Sequence, residues 1–265
     1  MKTLRFILVV CFSLFSALIQ AQTLRTEVFD LLNLDYPGLE KVKDACGRQQ
    51  WKEAAELLLD YYRNRSGIVY PDLDLEHIKA SKRDWQWADD ALEHTFFVHE
   101  GYQPSFNYGK DIDWQYWPVK DNELRWQLHR HKWFTPMGKV YRVSGDEKYA
   151  REWVFQYMDW IKKNPLIEIN DDDLQQVIEG NLKGDKENMR YAWRPLEVSH
   201  RIQDQIPQFL IFNSSKFFTP EFLTEFLVNY HRHAAHILKH YTKQGNHLLF
   251  EAQRMVYAGT FCPEM

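Results

Sequence analysis

Cysteine is scarce, with three residues in a chain of 265. No two stand in a CxxC pair, so thiolate metal motifs and a disulfide-stapled scaffold are excluded. Cys46 and Cys262 lie far apart and permit one disulfide at most. No HExxH pattern occurs, and no cofactor or metal is called for by any motif. Beyond residue 21 there is no apolar run long enough to span a bilayer, and no low-complexity tract. An excess of positive charge is missing too. Lys and Arg number 33 against 37 Asp and Glu, a formal net charge of −4. That balance excludes a general polyanion binder, and with it a nucleic-acid partner. A protein of this charge that handles a sulfated or uronate-rich chain must gather its cations at one site.

The first 21 residues are of a different kind. Lys2 and Arg5 make a basic start, Phe6 to Ile19 is almost wholly apolar, and Gln20-Ala21-Gln22 follows. This is the layout of a secretory signal peptide cut after Ala21, with the periplasm as destination. A membrane anchor would need a longer run. Cys11 with Leu8 resembles a lipoprotein box, but Val10 stands where a small residue is wanted. Loss of Lys2 and Arg5 takes the formal charge from −4 to about −6. The expected organisation is a signal peptide over 1–21 and one helical unit over 22–265.

Aromatics are plentiful, at 15% of residues. Most must pack a core; exposed rings can also stack on sugars. Helical periodicity dominates the rest. Trp51, Ala54, Ala55, Leu58 and Tyr62 recur at three- and four-residue spacing and predict a helix over 50–65. Tyr149, Trp153, Tyr157, Trp160 and Ile161 predict another over 147–163, ended by Asn164-Pro165. Thr219 as N-cap and Pro220 at the first position open a helix over 219–243. Its apolar face is Leu223, Leu227, Tyr230, Ala234, Ile237 and Tyr241. Gly245 closes it, and a further helix runs from Asn246 to about Ala258. Residues 66–118 lack sustained periodicity and read as a long, ordered connection with short helices. Asp171-Asp172-Asp173 reads as a solvated helix start rather than a metal site. Successive antiparallel helix pairs predict an all-α bundle, solenoid or α/α toroid.

Four constellations carry possible chemistry. In Trp193-Arg194-Pro195-Leu196-Glu197, Arg194 precedes the proline at a helix mouth, where a guanidinium can grip carboxylate or sulfate. Glu197 and Arg201 stand four apart, acid first, in a favourable order for a structural ion pair. On the 219–243 helix, Arg232, His233, His236, Lys239, His240 and Lys243 fall opposite the apolar face. His236 and His240 have the spacing of a metal pair but no third ligand, so a solvated basic face is the plainer reading. In Gly245-Asn246-His247, Asn246 is an N-cap. It is also a neutral donor that, aided by His247, could hold a uronate carboxylate and stabilise an enolate, with a helix dipole behind it. Finally, His129-Arg130-His131-Lys132-Trp133 with Trp117 nearby sets cations beside indoles, as a sulfated sugar requires. The alternative is packing by the tryptophans with the basic residues solvated.

The leader, "AAELLLDYYRNR", "DIDWQYWP", "ELRWQLHRHKWF", "YAWRPLEVSHRIQ" and "GNHLLFEAQ", in this order, resemble heparinase II/III proteins, on the side of the heparinase III-type heparan sulfate lyases. The resemblance implies an incomplete α/α toroid followed by an antiparallel β-sandwich. It implies β-elimination on a sulfated glycosaminoglycan, with an Asn neutralising the uronate carboxylate and a Tyr and a His as acid and base. Asn246 matches the family's Asn and is the candidate catalytic residue. His247, Arg194, Glu197, Arg130 and Trp117 are the candidate substrate-binding residues. The Tyr and His of the pattern fall past Met265, since Tyr257 follows Asn246 too closely, and no sandwich is present. The expectation is therefore an N-terminal fragment, inactive and poorly folded alone, of an enzyme that is monomeric at full length. Rival readings are a lyase for alginate or chondroitin, a glycoside hydrolase using Glu197 with one of Asp171 to Asp173, and a non-catalytic glycan-binding helical protein.

Overall fold

The computed structural model describes residues 23–68, 70–181 and 183–265, so the expected signal peptide lies outside the described residues. The helices are α1 (Val28–Leu31), α2 (Glu40–Gly47), α3 (Trp51–Asn64), α4 (Lys82–Leu92), α5 (Asn122–Leu128), α6 (Phe134–Ser144), α7 (Glu147–Lys163), α8 (Asp171–Glu179), α9 (Asp185–Asn188), α10 (Pro195–Phe212), α11 (Pro220–His240) and α12 (Gly245–Phe261). The only strands among the described residues are β1 (Thr95–Phe96) and β2 (Phe106–Asn107), paired antiparallel with Thr95 opposite Asn107. The chain is all-α, as its periodicity predicts.

Local chemistry sets the boundaries. Asp121, Asp146, Asn170 and Thr219 each accept from a backbone N–H of the first turn of α5, α7, α8 and α11, satisfying a donor the helix cannot. Ser81 and Asp84 form a reciprocal capping box at α4. The 66–118 segment therefore contains an 11-residue helix and a strand pair. The expectation of short helices missed both, because α4 carries its core contacts through small residues, Ala88 and Ala91. The triple-aspartate segment is a helix start as expected, with Asp173 paired to Lys186.

Helices pack in sequential pairs, α2 on α3, α6 on α7 and α10 on α11. Across pairs, α10 lies between α6 and α12, and two sets of contacts fix their directions. Arg130, just before α6, meets Glu197, while a Cβ on Gly138 would lie 2.9 Å from Ile211. His200 meets Phe250, Gln203 meets Arg254, and Phe209 meets Phe261. Numbers rise together in each case, so α6, α10 and α12 run parallel and their N-terminal ends share one end of the molecule.

The aromatic excess is mostly core. Trp133 stacks on Phe96 at 4.1 Å and Trp153 on Phe212 at 4.4 Å, and Trp114, Trp160 and Trp193 are also buried. Offset ring pairs of this kind add about 0.5–1.5 kcal/mol each beyond area burial. Cys46 and Cys262 are free thiols. No described helix is long and apolar enough to cross a membrane.

The last described segment is packed on one side and open on the other. Phe261 and Cys262 are buried, and Glu264 is enclosed with its carboxylate 3.1 Å from Arg65, so this segment is packed. The outer face of α12 is open, with Leu249 74% and Val256 66% exposed.

Two helix-face assignments are corrected. α11 ends at His240, and Tyr241, assigned to its apolar face, is exposed. His233 and His236, assigned to a solvated basic face, are buried. The cause is that α11 is packed on more than one side, against α10 and α3, so these two histidines turn inward and find internal partners, while Lys239, His240 and Lys243 are exposed as read.

Candidate active site

Three backbone entries converge where α6, α10 and α12 begin: the His129–Trp133 turn, Arg194 with Pro195, and Gln244 to His247. Each helix start carries unsatisfied N–H groups and about half a positive charge. The basic side chains of these segments add to that field.

The centre is Glu197, fully buried in the first turn of α10. Arg130 Nη2 donates to its Oε1 at 2.7 Å, and Arg194 Nη1 stands 3.5 Å from its Oε2. The expected Glu197–Arg201 pair is not made. Arg201 points deeper, where its Nη1 donates to His129 O and its Nε to His233 Nε2, both at 2.9 Å. Its guanidinium lies 4.4 Å over the Trp160 ring. Burial lowers Arg201 to about 9, against the opposing influence of Glu197. Burial, then Arg201, also hold His129, His131 and His233 well below the usual histidine range, so all three are neutral at pH 7. His236 donates from Nε2 to Trp193 O at 2.7 Å, leaving that nitrogen no lone pair for a metal. The basic turn His129-Arg130-His131 is thus an internal scaffold, neither solvated nor a sulfate-facing cluster; Lys132 alone of its cations is half exposed.

Arg194 reaches the surface. Its guanidinium stacks 4.0 Å over Trp126, which neighbours Tyr191, which in turn neighbours Trp117. Trp117 is 36% exposed and its Nε1 donates to Asp121 O. An aromatic shelf, open at its ends and with Tyr191 buried in its middle, therefore leads from Arg194 to Trp117. Trp126 was read from the sequence only as a packing residue and Tyr191 was not singled out; their approach to Arg194 is legible only in three dimensions.

Asn246 is the second residue of α12, not its cap, which is Gln244. Its side chain is exposed and has no hydrogen-bond partner among the described residues. The loop before it is anchored from below: buried Glu251 accepts from Thr242 N at 2.7 Å and Thr242 Oγ1 at 2.8 Å. His247 follows, half-buried. The structure brings Arg130, Arg194 and Glu197 together, sets Asn246 and His247 at the same end, and places Trp117 at the far end of the shelf. Tyr257 stands eleven residues along α12, roughly 16 Å from Asn246 on the helix rise, so it cannot work on the same sugar carbon.

The family model for the heparinase II/III N-terminus matches residues 28–265. The chain belongs to this family. A heparin-sulfate lyase of Bacteroides stercoris is 63% identical over 263 residues, covering 99% of this chain and 40% of the relative. A heparin-sulfate lyase of Pedobacter heparinus is 47% identical over 262 residues, covering 97% and 37%. Among solved structures, a heparinase III with methylated lysines superposes with a TM-score of 0.86 at 66% identity, over 92% of this chain and 38% of that one. The heparan sulfate lyase from Pedobacter heparinus gives 0.79 at 47%, over 91% and 36%. The chain thus spans about two-fifths of the length of these relatives, and its fold is the N-terminal part of an incomplete α/α toroid.

Proposed function

We propose that this chain forms the carboxylate-binding wall of a heparan sulfate lyase that cuts by β-elimination. The carrying observation is the exposed, unpartnered Asn246 in the first turn of α12, at the same end as Arg194. A uronate C5 proton is hard to remove while the neighbouring carboxylate is charged. A neutral amide donor, backed by free N–H groups of the helix start, stabilises the enolate that forms as the proton leaves. Asn246 is not a base. His247 lies beside it to hold the sugar. Arg194 offers a guanidinium for carboxylate or sulfate, and the shelf to Trp117 offers ring stacking. Glu197 and Arg130 do not reach the substrate in this scheme; they fix Arg194. Proton removal and leaving-group protonation fall to a Tyr and a His further along a polypeptide of the relatives' length.

A hydrolase is less well supported. Glu197, its nominated acid, is enclosed by two guanidinium groups, and Asp173 is held by Lys186 on another helix. Export to the periplasm, through a leader over residues 1–21, belongs to the same proposal; N-terminal sequencing of the exported protein checks it, and an intact Met1 contradicts it. The reaction is tested with heparan sulfate and a polypeptide carrying this chain at the relatives' length. A lyase yields chain ends with a C4–C5 double bond that absorb ultraviolet light. New reducing ends without that absorbance indicate hydrolysis, and neither product indicates a binding protein.

A further inference from the structure

Behind the aromatic shelf stands Arg125 of α5, a residue only 4% exposed, whose guanidinium therefore does not itself meet a sugar. It lies between two rings, its centre 3.6 Å from the Tyr191 centroid and 5.3 Å from that of Trp117. Its terminal nitrogens are taken as well: Nη2 donates to Gln115 Oε1 at 2.6 Å and Nη1 to Glu187 Oε1 at 3.2 Å. Trp117, by contrast, belongs to no helix and is exposed. Its ring is fixed at one edge by the Nε1 bond to Asp121 O, 2.9 Å long, and over one face by Arg125. Asp121 is itself held by Tyr102 Oη, which donates to it at 2.6 Å, and it caps α5. The same network reaches the other end of the shelf. Gln115 donates from Nε2 to Asn164 Oδ1 at 3.2 Å, and Asn164 O accepts at 2.9 Å from Nε1 of Trp193, the residue before Arg194.

We propose that Arg125 is a positioning residue that holds the Trp117 ring as an outer stacking site for a sugar remote from the bond that is cut. The proposal rests on the lyase reading above for the class of ligand. An exposed tryptophan on an irregular segment would otherwise lose rotamer freedom on meeting a sugar, and that ordering opposes binding. A desolvated guanidinium over the ring fixes it beforehand, and the planar fork to Gln115 and Glu187 fixes the guanidinium. Trp117 stands two ring steps from Trp126, the ring under Arg194: 6.4 Å to Tyr191 and 6.4 Å again to Trp126. Only a chain that continues past Arg194 reaches it. Contacts of that kind bind ground state and transition state alike, so they lower KM and leave kcat alone. The outer site thus gives the enzyme a preference for long chains over short ones.

The test measures Kd by calorimetry for a heparan sulfate tetrasaccharide and a dodecasaccharide, in a polypeptide carrying this chain at the relatives' length with Asn246→Ala. Trp117→Ala should weaken the dodecasaccharide about tenfold and the tetrasaccharide by less than about twofold. Arg125→Gln should show the same length dependence, at about fivefold on the dodecasaccharide. The two substitutions together should weaken it about tenfold, where independent groups would give about fiftyfold. On the polymer, with Asn246 restored, Arg125→Gln should raise KM about fivefold and change kcat by less than about twofold. Gln115→Ala removes one anchor of the guanidinium from the exposed side; it should weaken the dodecasaccharide about threefold, and it decides the question if Arg125→Gln does not fold. Equal losses on both lengths, additive losses in the double variant, or unchanged dodecasaccharide affinity in Trp117→Ala or Gln115→Ala overturn the proposal. A parent protein that forms no unsaturated product overturns the lyase reading alone, since the Kd pattern is independent of turnover. No binding of either sugar, by protein with a native melting transition, overturns both.

Discussion

Replacing Glu197 by Gln is the sharpest probe of the scaffold beneath the mouth. Glu197 is fully buried and is the shared counter-ion of Arg130, itself 8% exposed, and of Arg194. Removing one partner of a buried ion pair costs about 3–5 kcal/mol, because the other charge stays desolvated. Glutamine keeps one acceptor for Arg130 Nη2, which returns about 1–2 kcal/mol. The net expectation is a loss of about 2–3 kcal/mol for Glu197→Gln and of about 3–5 kcal/mol for Glu197→Ala. For a chain of this size each kcal/mol moves Tm by about 2–4 °C. Urea unfolding followed by circular dichroism measures both variants, with an unchanged m-value confirming that the native state is compared like for like. A loss below about 1 kcal/mol for Glu197→Ala would refute the reasoning. It would mean that Arg130 is solvated and that Glu197 belongs to an ordinary surface pair.

Gly138→Ala should destabilise by about 1–2 kcal/mol despite alanine's better helix propensity, because the new methyl would sit 2.9 Å from buried Ile211 and 3.3 Å from Phe212; a rise in Tm contradicts this. Acid should unfold the protein through its histidines. His200 and His236 are lowered to about 3 and about 4 by burial, so the unfolded chain binds protons that the folded one refuses. Stability from these groups is present above pH 6.5 and is lost as pH falls from there toward 4. Tm measured between pH 7 and pH 4.5 should fall steadily, and a flat profile contradicts the assignment. His94 acts in the opposite direction. Burial lowers it, but its bonds to Glu152 and Gly109 O raise it overall, so its contribution is complete below pH 6.5 and is lost as pH rises through its folded value. His94→Gln should therefore cost more at pH 6 than at pH 9, as thermal melts at the two values would show.

Period and punctuation made four of the long helices legible, α3, α7, α11 and α12. The helix predicted over 147–163 matches α7, and Thr219-Pro220 opens α11 as read. What escaped was whatever depends on which faces are covered. α11 is enclosed on several sides, so His233 and His236 of its basic stripe are buried, His233 as a seat for Arg201, while Lys239, His240 and Lys243 stay exposed as read. α10 runs through Pro207, where local rules would end a helix, because its burial between α6 and α12 outweighs one lost backbone bond. At the site, Asn246 and Arg194 stood out through their places beside Gly245 and Pro195. Glu197 was noticed but given the wrong partner, since the four-residue rule cannot see Arg130, which is distant in sequence and adjacent in space.

The central claim is that Asn246 acts on the developing enolate and not as a helix cap. The direct measurement compares kcat/KM and Tm of Asn246→Ala with the parent, in a polypeptide carrying this chain at the relatives' length, on heparan sulfate with ultraviolet detection. Loss of one preorganised donor to a developing oxyanion should cut kcat/KM by about a hundredfold to a thousandfold. Because Gln244 occupies the cap position, stability should change by less than about 1 kcal/mol. Near-parental turnover, or a fall in turnover that merely follows a fall in Tm, would contradict the account.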